Sequence, residues 1–423
     1  MRISPKRVLF NKLWLYTFLL NVSIVYYYYA KFPLMKFPLI MYPITATMSI
    51  VNPMWHWLVP DGLKKGLSSS FSYLHYIPNL AVGYRTKYEG KLITMEHGSF
   101  SKKKTHWVLW IAGGGFTSCN SRDYVQVSQQ ILEKHRGPIS ISILCCTPPG
   151  SFDEADLIYP RIHQTCADSL EQFSDSVVSQ DRSFLTIVAD DTGASLLISM
   201  LQYLNTQQRN IQYDNILFVA PISHFHHFDF PSSPKQKFVE PVQYFGYDDY
   251  VQFWLTYLLG EAEPQMHKLL RESQHISADV RNNTPPYLVY WTSRYTFLRN
   301  KKFRESFYYD PKAIRTFNRF VVDPYLNPLL LPENLLDALV DVEKITIISL
   351  MNSATRDDSL FLTDFLESSL TSKNYNPSVK IENYFLHSGF TGCLRFSTWF
   401  NSCPELIGKI AQVLKNWTLE KHL

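Results

Sequence analysis

The stretch that most constrains this chain is residues 184–200, which read FLTIVADDTGASLLISM. Its first part, residues 184–189, is a short apolar run of the kind that forms a buried strand. Its second part has apolar residues at helical spacing. Between the two parts, Asp190, Asp191 and Thr192 make a tight strand-to-helix turn. In open α/β sheets such turns lie at the carboxyl ends of the strands, where sites are found.

From about residue 80, strand patterns and helix patterns alternate along the chain. Residues 86–95 read as a hairpin or an edge strand. The sequence predicts further strands at residues 107–111, 139–146, 184–189, 216–221, 345–350 and 379–386. It predicts helices at residues 121–135 (with Ser121 as N-cap), 160–173, 360–370 and 405–419. Strands that alternate with helices at this spacing favour an α/β fold with a mostly parallel, doubly wound sheet.

An apolar run near the N-terminus predicts a membrane anchor. Residues 13–30 carry no charge and are long enough for one transmembrane helix. More basic residues precede the run than follow it, which places the N-terminus in the cytosol and the rest across the membrane. A cleaved signal peptide is the alternative, but no small-x-small cleavage site follows. We therefore expect an uncleaved anchor of a single-pass type II protein.

A second uncharged stretch, residues 37–59, is interrupted by Pro38, Pro43 and Pro53. Prolines at that spacing break a helix, so the stretch is interpreted as an interfacial or cap segment lying on the membrane. The alternative is a second span, which would return the main domain to the cytosol.

The chain therefore divides into three parts. Residues 1–31 are a cytosolic tail and transmembrane anchor, residues 32–80 are the proline-interrupted segment, and residues 81–423 are one large domain. Within that domain, residues from about 224 to 334 break the strand–helix alternation with prolines, aromatic clusters and helical pieces. This pattern predicts an inserted lid.

Composition narrows the choice of partners and compartment. The net charge of +4 is too small to indicate a nucleic-acid partner. Charged residues make up 18% and aromatic residues 15%, a balance that suits a folded protein associated with membrane or lipid. The six cysteines do not form a disulfide framework in so long a chain, and most are interpreted as buried small hydrophobic residues. Cys393 and Cys403 are a candidate pair if the domain lies in an oxidising lumen.

Four landmarks in a fixed order carry a resemblance to a known family. They are residues 112–116 in the place of an HGGGF loop, Tyr159-Pro160 before a helix, residues 190–195 at a GDSAGG position, and Arg356-Asp357-Asp358 after a late strand. On these motifs the chain from about Tyr84 resembles the hormone-sensitive-lipase group of α/β hydrolases. Within that group it is most similar to fungal steryl acetyl hydrolases, which are membrane-anchored deacetylases of the endoplasmic reticulum. The resemblance implies an α/β-hydrolase fold, a lumenal domain, a lipid or sterol-like ligand and no cofactor.

The resemblance also assigns the site by register. It places Thr192 at the nucleophile position, Ser353 at the acid position and His387 at the base position, with Asp357 and Asp358 as alternative acids. It assigns the oxyanion hole to the backbone N–H groups of three glycines, namely Gly113, Gly114 and Gly193.

Several of these positions depart from the family pattern. Threonine replaces serine at position 192, and Asp190 replaces the first glycine of the GDSAGG motif. Ser353 replaces the acidic residue of the triad, and Ala112 replaces the histidine of the HGGGF loop. These departures favour a pseudo-hydrolase that binds a lipid or a partner without turnover. A steryl or lipid acetyl esterase that works through an altered triad is the competing hypothesis.

Other candidate sites are weaker. His224, His226 and His227 form a cluster, but no further ligands follow at zinc-site spacing, so we predict a polar loop and no metal. Asn282 and Asn416 begin glycosylation sequons, which matter if the domain is lumenal.

Overall fold

The structure is a computed structural model. It describes residues 22–23, 84–89, 92–97, 106–115, 119, 124–146, 158–179, 183–209, 211–223, 251, 254–255, 257–259, 312, 315–316, 319–320, 323–327, 332–351, 353–370, 375–389, 392–394 and 403–422.

Eight strands of the described residues form one sheet. They are β1 (Tyr84–Glu89), β2 (Leu92–His97), β3 (His106–Ile111), β4 (Ile139–Leu144), β5 (Phe184–Asp190), β6 (Asn215–Val219), β7 (Lys344–Leu350) and β8 (Lys380–Leu386). The helices of the same residues are α1 (Val125–His135), α2 (Arg161–Val178), α3 (Thr192–Thr206), α4 (Pro332–Ala338), α5 (Arg356–Leu370) and α6 (Pro404–His422).

The sheet is mostly parallel. Its strand order is β1-β2-β4-β3-β5-β6-β7-β8, and only the pairings that involve β2 are antiparallel. The predicted mostly parallel sheet is confirmed, with β3, β4, β5 and β6 as parallel neighbours. Of the two alternatives for residues 86–95, the structure shows the hairpin, formed by β1 and β2. The strand order reverses between β3 and β5. Such a switch point opens a crevice at the carboxyl edge of the sheet, which is where the turn after β5 lies.

The central strands are apolar because helices cover both faces of the sheet. All seven residues of β5 and all five of β6 are buried. Consecutive residues of a strand point to opposite faces, so Leu109 and Ile187 join one hydrophobic cluster with α2 and α3. Val108 and Val188 join a second cluster with α1 and α6. The two clusters hold the sheet between two helical layers.

Element boundaries differ from those predicted in a few places. The helix predicted at 121–135 begins at Val125, and Ser121 lies outside the described residues. The helix predicted at 160–173 extends to Val178, and the strand predicted at 216–221 ends at Val219. Most importantly, β5 runs through Asp190, one residue beyond the apolar run.

The predicted membrane segments are largely outside the described residues. Of residues 13–30 the structure describes Val22 and Ser23, which are helical, and it describes none of residues 37–59. Within the parts of the chain that are described, no helix is both long enough and apolar enough to cross a bilayer. Residues 251–259 of the predicted lid are helical wherever they are described.

Two disulfides join four of the cysteines, contrary to the expectation of buried thiols. Cys119 pairs with Cys145 and Cys146 pairs with Cys166, with Cα atoms 5.4 and 5.8 Å apart. The adjacent residues Cys145 and Cys146 point to opposite faces of the sheet and reach partners in different hydrophobic clusters. The pairs do not include Cys393 and Cys403, which are both buried.

Candidate active site

The turn between β5 and α3 consists of a single residue, Asp191. Its backbone has φ 49° and ψ −124°, a conformation that side chains other than glycine rarely adopt. Three backbone hydrogen bonds hold it. The Asp191 N–H donates to the Val219 carbonyl at 3.1 Å, and the Asp191 carbonyl accepts from Ile222 at 3.0 Å and Ala194 at 3.2 Å. Asp191 therefore occupies the apex of the strand-to-helix turn and is half-buried.

Thr192 is not at the apex, where the sequence register had placed it. Thr192 is the first residue of α3 and is 2% exposed. The register moves by one residue because Asp190 pairs with Val219 as the last residue of β5. Gly193, the only glycine in residues 184–200, then falls on the last position of the G-x-S-x-G pattern. Had Gly193 been aligned with the last glycine of that pattern, the sequence alone would have identified Asp191 as the apex residue.

Gly193 allows close packing of α3 against the loop after β3. A Cβ atom at this position would lie 2.3 Å from the carbonyl oxygen of Ile111 and 3.1 Å from the nitrogen of Gly113. Since both are backbone atoms, no side chain fits. The sequence predicted that the N–H group after the apex belongs to Gly193. With Asp191 at the apex, that N–H group belongs to Thr192 instead.

The glycine loop after β3 contacts the strand-to-helix turn at residues 190–192, called the elbow below, through its N–H groups. The Gly113 N–H donates to Asp190 Oδ1 at 3.1 Å, and the Gly115 N–H donates to Thr192 Oγ1 at 3.0 Å. Gly114 and Gly115 have φ values of 140° and 62°, which glycine adopts without strain. Two of the three glycine N–H groups in this loop therefore donate to side chains of the elbow.

Asp190 is the centre of a buried hydrogen-bond network that sequence reasoning missed. Its carboxylate accepts from Trp110 Nε1 at 2.7 Å and from the Tyr124 hydroxyl at 2.8 Å, besides the Gly113 N–H. The side chain is 4% exposed. An ionised carboxylate only accepts, so three donors suit its charged form. Asp190 thus joins β3, the start of α1 and the glycine loop.

Ser353, at the predicted acid position, lies between β7 and α5. It is fully buried, and its hydroxyl accepts the backbone N–H of Thr355 at 3.2 Å. Asp357 forms an ion pair with Arg356 at 2.8 Å.

Asp358 faces the loop after β6. Its Oδ1 accepts from the backbone N–H and the hydroxyl of Ser223, at 3.1 and 3.0 Å. Both alternative acids are therefore buried, Asp357 beside Arg356 and Asp358 beside Ser223.

His387 is exposed and follows β8 at the carboxyl edge of the sheet. The strands β7 and β8 pair up to Leu350 and Leu386, and the Met351 N–H donates to the Leu386 carbonyl at 2.9 Å. Ser353 and His387 therefore follow the ends of adjacent strands. Asp191 lies at the same edge, three strands away along the sheet.

A second buried polar cluster joins α2 to the described part of the lid. The Tyr159 N–H donates to the Tyr257 carbonyl at 2.9 Å, and His163 Nε2 contacts the Tyr257 hydroxyl. Burial lowers the pKa of His163 to about 3. Burial, together with a hydrogen bond to Asp323, raises the pKa of Tyr159. The Tyr159-Pro160 motif, whose peptide bond is cis, was the sequence signal for this cluster.

The remaining predicted sites fall in different places. Asn416 is exposed on α6, and Thr418 of its sequon is buried with its hydroxyl 2.7 Å from His106 Nδ1 and 2.8 Å from His135 Nε2. Asn282 and the histidines at 224, 226 and 227 lie outside the described residues. Among the residues that the structure describes, no group of three or more His, Cys, Asp or Glu is placed to hold a metal ion.

Among known proteins, this chain matches solved structures but no sequence family. No protein-family model matches the chain, and no curated protein sequence does. A structure described as a fungal esterase from Rhizomucor miehei superposes with a TM-score of 0.51 at 12% identity, covering 88% of this chain and 95% of the other. The esterase Est22 gives 0.50 at 12% identity, over 84% and 88% of the two chains. A variant of the esterase rPPE gives 0.51 at 9% identity, over 88% and 93%.

The strand order, the elbow after β5 and these likenesses define an α/β-hydrolase-fold protein whose structural neighbours are esterases. In this chain the residue at the apex of the elbow is an aspartate, Asp191.

Proposed function

We propose that this protein belongs to the hormone-sensitive-lipase group, resembles steryl acetyl hydrolases, and has lost serine-type ester hydrolysis. It is anchored in the endoplasmic reticulum membrane by residues 13–30, with its main domain in the lumen. It acts by binding a lipid or sterol-like ligand, needs no cofactor, and does not bind nucleic acid. Its ligand enters between the lid and the carboxyl edge of the sheet.

The observation that carries this proposal is the aspartate at the apex. Acyl transfer from an ester needs a nucleophile that displaces an alkoxide from the carbonyl carbon. If the carboxylate of Asp191 attacked an ester, the tetrahedral intermediate would expel the carboxylate again, because a carboxylate is a far better leaving group than an alkoxide. Thr192 begins a helix, and its hydroxyl already accepts the Gly115 N–H. Neither side chain is arranged as an activated hydroxyl.

The acid position and the oxyanion donors also support the loss of ester hydrolysis. The Gly113 and Gly115 N–H groups donate to Asp190 and Thr192, which reduces the donors left for a substrate oxyanion. Ser353 carries no charge with which to stabilise an imidazolium at His387. Loss of an activated serine alone removes up to about a millionfold in a well-studied serine protease.

The disulfides support the lumenal placement. Cytosolic proteins rarely keep disulfides, whereas proteins of the endoplasmic reticulum lumen do. Cys119–Cys145 and Cys146–Cys166 both lie inside the domain. Glycosylation at Asn282 or Asn416 tests this placement directly, because a lumenal domain that carries glycan changes mobility on endoglycosidase treatment. A protease-sensitive, unglycosylated domain in sealed microsomes would support the second span at residues 37–59 instead.

The alternative function is an active carboxylic-ester hydrolase that deacetylates sterols or similar lipids through an altered triad. The retained position of His387 at the carboxyl edge favours it. The two functions differ in whether purified protein turns over an ester through Thr192 and His387.

The deciding experiment uses full-length protein purified in detergent. We expect no labelling by a serine-directed fluorophosphonate, no hydrolysis of p-nitrophenyl acetate or cholesteryl acetate, and saturable binding of tritiated cholesteryl acetate. His387→Ala and Thr192→Ala are the control variants. Hydrolysis by the wild type that disappears in either variant would establish the altered triad. A lack of both binding and hydrolysis would contradict the sterol-like ligand.

A further inference from the structure

We propose that Asn416 accepts an N-linked glycan only while helix α6 has not yet packed against the sheet, so that folding itself closes this modification site. The inference rests on the lumenal placement proposed above, because N-glycosylation belongs to the secretory compartments. It goes beyond that placement by stating when the site is accessible. The evidence for it lies in the surroundings of one hydroxyl group, that of Thr418.

The acceptor segment is Asn416-Trp417-Thr418, which fits the pattern N-x-[ST]. In the transfer, Asn416 Nδ2 bonds to the anomeric carbon of an oligosaccharide carried on a lipid diphosphate, while the bond from that carbon to the diphosphate oxygen breaks. The electron pair leaves with the diphosphate, and a base of the transferase takes one amide proton. Because the pattern requires a hydroxyl two residues after the asparagine, the transferase has to reach both side chains.

Helix α6 places these two side chains on opposite faces. At 3.6 residues per turn, residues i and i+2 lie about 200° apart around a helix. Asn416 is accordingly exposed, whereas Thr418 is only 4% exposed. In the folded chain the asparagine is accessible, but the hydroxyl that the transferase also needs is not.

The Thr418 hydroxyl has no hydrogen-bonding capacity left for an enzyme. A threonine hydroxyl has one donor and two acceptor lone pairs. It donates to the Leu414 carbonyl at 2.9 Å. His106 Nδ1 lies 2.7 Å and His135 Nε2 lies 2.8 Å from the same oxygen, so two ring N–H groups fill its two lone pairs.

The two histidines come from distant parts of the chain. His106 begins β3 and His135 ends α1, and they are separated from Thr418 by 312 and 283 residues. The other ring nitrogen of His106 lies 2.9 Å from the hydroxyl of Thr186 on β5. The surroundings that close over Thr418 therefore exist only after β3, β5 and α1 have assembled and α6 has packed on them.

Reopening the folded site requires more than the rotation of a side chain. Leu414 and Trp417 are 0% and 4% exposed and belong to the hydrophobic cluster between the sheet and the helices α1 and α6. Withdrawal of Thr418 would expose both and leave two buried imidazoles without their acceptor. A glycan attached earlier does not hinder packing, because Asn416 lies on the solvent face of α6.

The occupancy of Asn416 is therefore set by a competition between glycan transfer and the packing of α6. Oxidation enters this competition through Cys119–Cys145, since both cysteines lie in the hydrophobic cluster that α6 covers. Conditions that keep this disulfide reduced should raise the occupancy, because they delay the assembly of the surface on which α6 packs.

The test uses full-length protein made in a bacterial host that adds no glycan and purified in detergent. The protein is incubated with solubilised oligosaccharyltransferase and a lipid-linked oligosaccharide, and peptide mass spectrometry measures the glycan on Asn416. Chain that has been reduced and alkylated should be modified about tenfold faster, or more, than folded chain, because the folded chain reacts only when α6 opens.

Two histidine variants provide the matched comparison. His106→Ala removes one donor to Thr418 and should raise the modification of folded protein. His163→Ala removes a buried histidine from α2, on the other face of the sheet, and should raise it less. Urea denaturation shows whether the two variants are equally destabilised.

Three results would overturn the proposal. They are modification of folded wild-type protein as fast as of the reduced chain, no modification of the reduced chain at Asn416, and no greater modification of His106→Ala than of His163→Ala. Because the transferase is added to purified protein, none of these results depends on the compartment. Failure of the lumenal placement would show separately, as an unglycosylated, protease-sensitive domain in sealed microsomes.

Discussion

Replacement of Asp190 should destabilise the protein far more than removal of an ordinary surface carboxylate. Asp190→Ala leaves three buried donors without their acceptor, namely Trp110 Nε1, the Tyr124 hydroxyl and the Gly113 N–H. A buried polar group without a partner costs about 1–3 kcal/mol. Since the tyrosine hydroxyl can rotate and the effects are not additive, we expect a loss of about 3–6 kcal/mol in the free energy of unfolding.

Asp190→Asn separates the loss of charge from the loss of shape. The amide oxygen still accepts from Trp110 and Gly113, and only the oxygen that faces Tyr124 becomes a donor. The Tyr124 hydroxyl can then accept in place of donating. We expect this variant to lose about 1–2 kcal/mol, which places it between the wild type and Asp190→Ala.

The assay is urea denaturation followed by tryptophan fluorescence, with thermal unfolding as a second measure. With an unfolding entropy of about 2.1 cal/mol/K per residue, a loss of 1 kcal/mol lowers Tm by about 1.4 °C in a domain of about 340 residues, so Asp190→Ala should lower Tm by about 4–8 °C. Asp168→Ala is the control, since this half-exposed surface partner of Arg209 should contribute about 1 kcal/mol or less. If Asp190→Ala costs no more than Asp168→Ala, the carboxylate does not hold the three donors and the account of the elbow is wrong.

Three further predictions concern packing, acid stability and activity. Gly193→Ala should cost about 3 kcal/mol or more in unfolding free energy, whereas Gly408→Ala on α6, where nothing lies within 4 Å of the added Cβ, should be neutral or stabilising. His135 and His163 have pKa values lowered by burial from 6.5 to about 4 and about 3, so the unfolded state binds more protons below pH 6.5. Stability should therefore fall as the pH drops, by about 2 kcal/mol per histidine between pH 7.5 and pH 5 in urea denaturation, and a pH-independent midpoint would contradict this. Thr192→Ser should have no activity on p-nitrophenyl acetate, because this residue begins α3 and is not the apex; a gain of activity would refute that placement.

The strands and the mostly parallel sheet could be predicted from the sequence because they follow from local patterns. Each central strand is a short apolar run, and each run is followed by a stretch with helical spacing. These patterns also located the turn after β5 and the glycine loop after β3. The carboxyl ends of parallel strands share one edge, so the approximate position of the site followed from the order of the elements.

The apolar run alone placed the end of β5 one residue too early, whereas Gly193 at the last position of the G-x-S-x-G pattern gives the observed register. An aspartate normally ends an apolar strand, since a buried charge is costly without partners. Asp190 continues β5 because Trp110, Gly113 and Tyr124 supply donors from 66 to 80 residues earlier in the chain. Partners at that separation leave no trace in a window around residue 190. The disulfides escaped prediction for the same reason, because their pairings join residues 20 and 26 positions apart.

The two adjacent aspartates have different roles: Asp190 supports the structure of the site, and Asp191 occupies the position that determines its chemistry. Asp190 is buried and holds β3, α1 and the glycine loop together, so the geometry of the crevice depends on it whatever residue stands at the apex. Asp191 is held at the apex by backbone hydrogen bonds to Val219, Ala194 and Ile222. An esterase-like structure is thus compatible with a chain that does not hydrolyse esters. The chemistry of the site therefore depends on the side chain at position 191 and does not follow from the likeness of the fold.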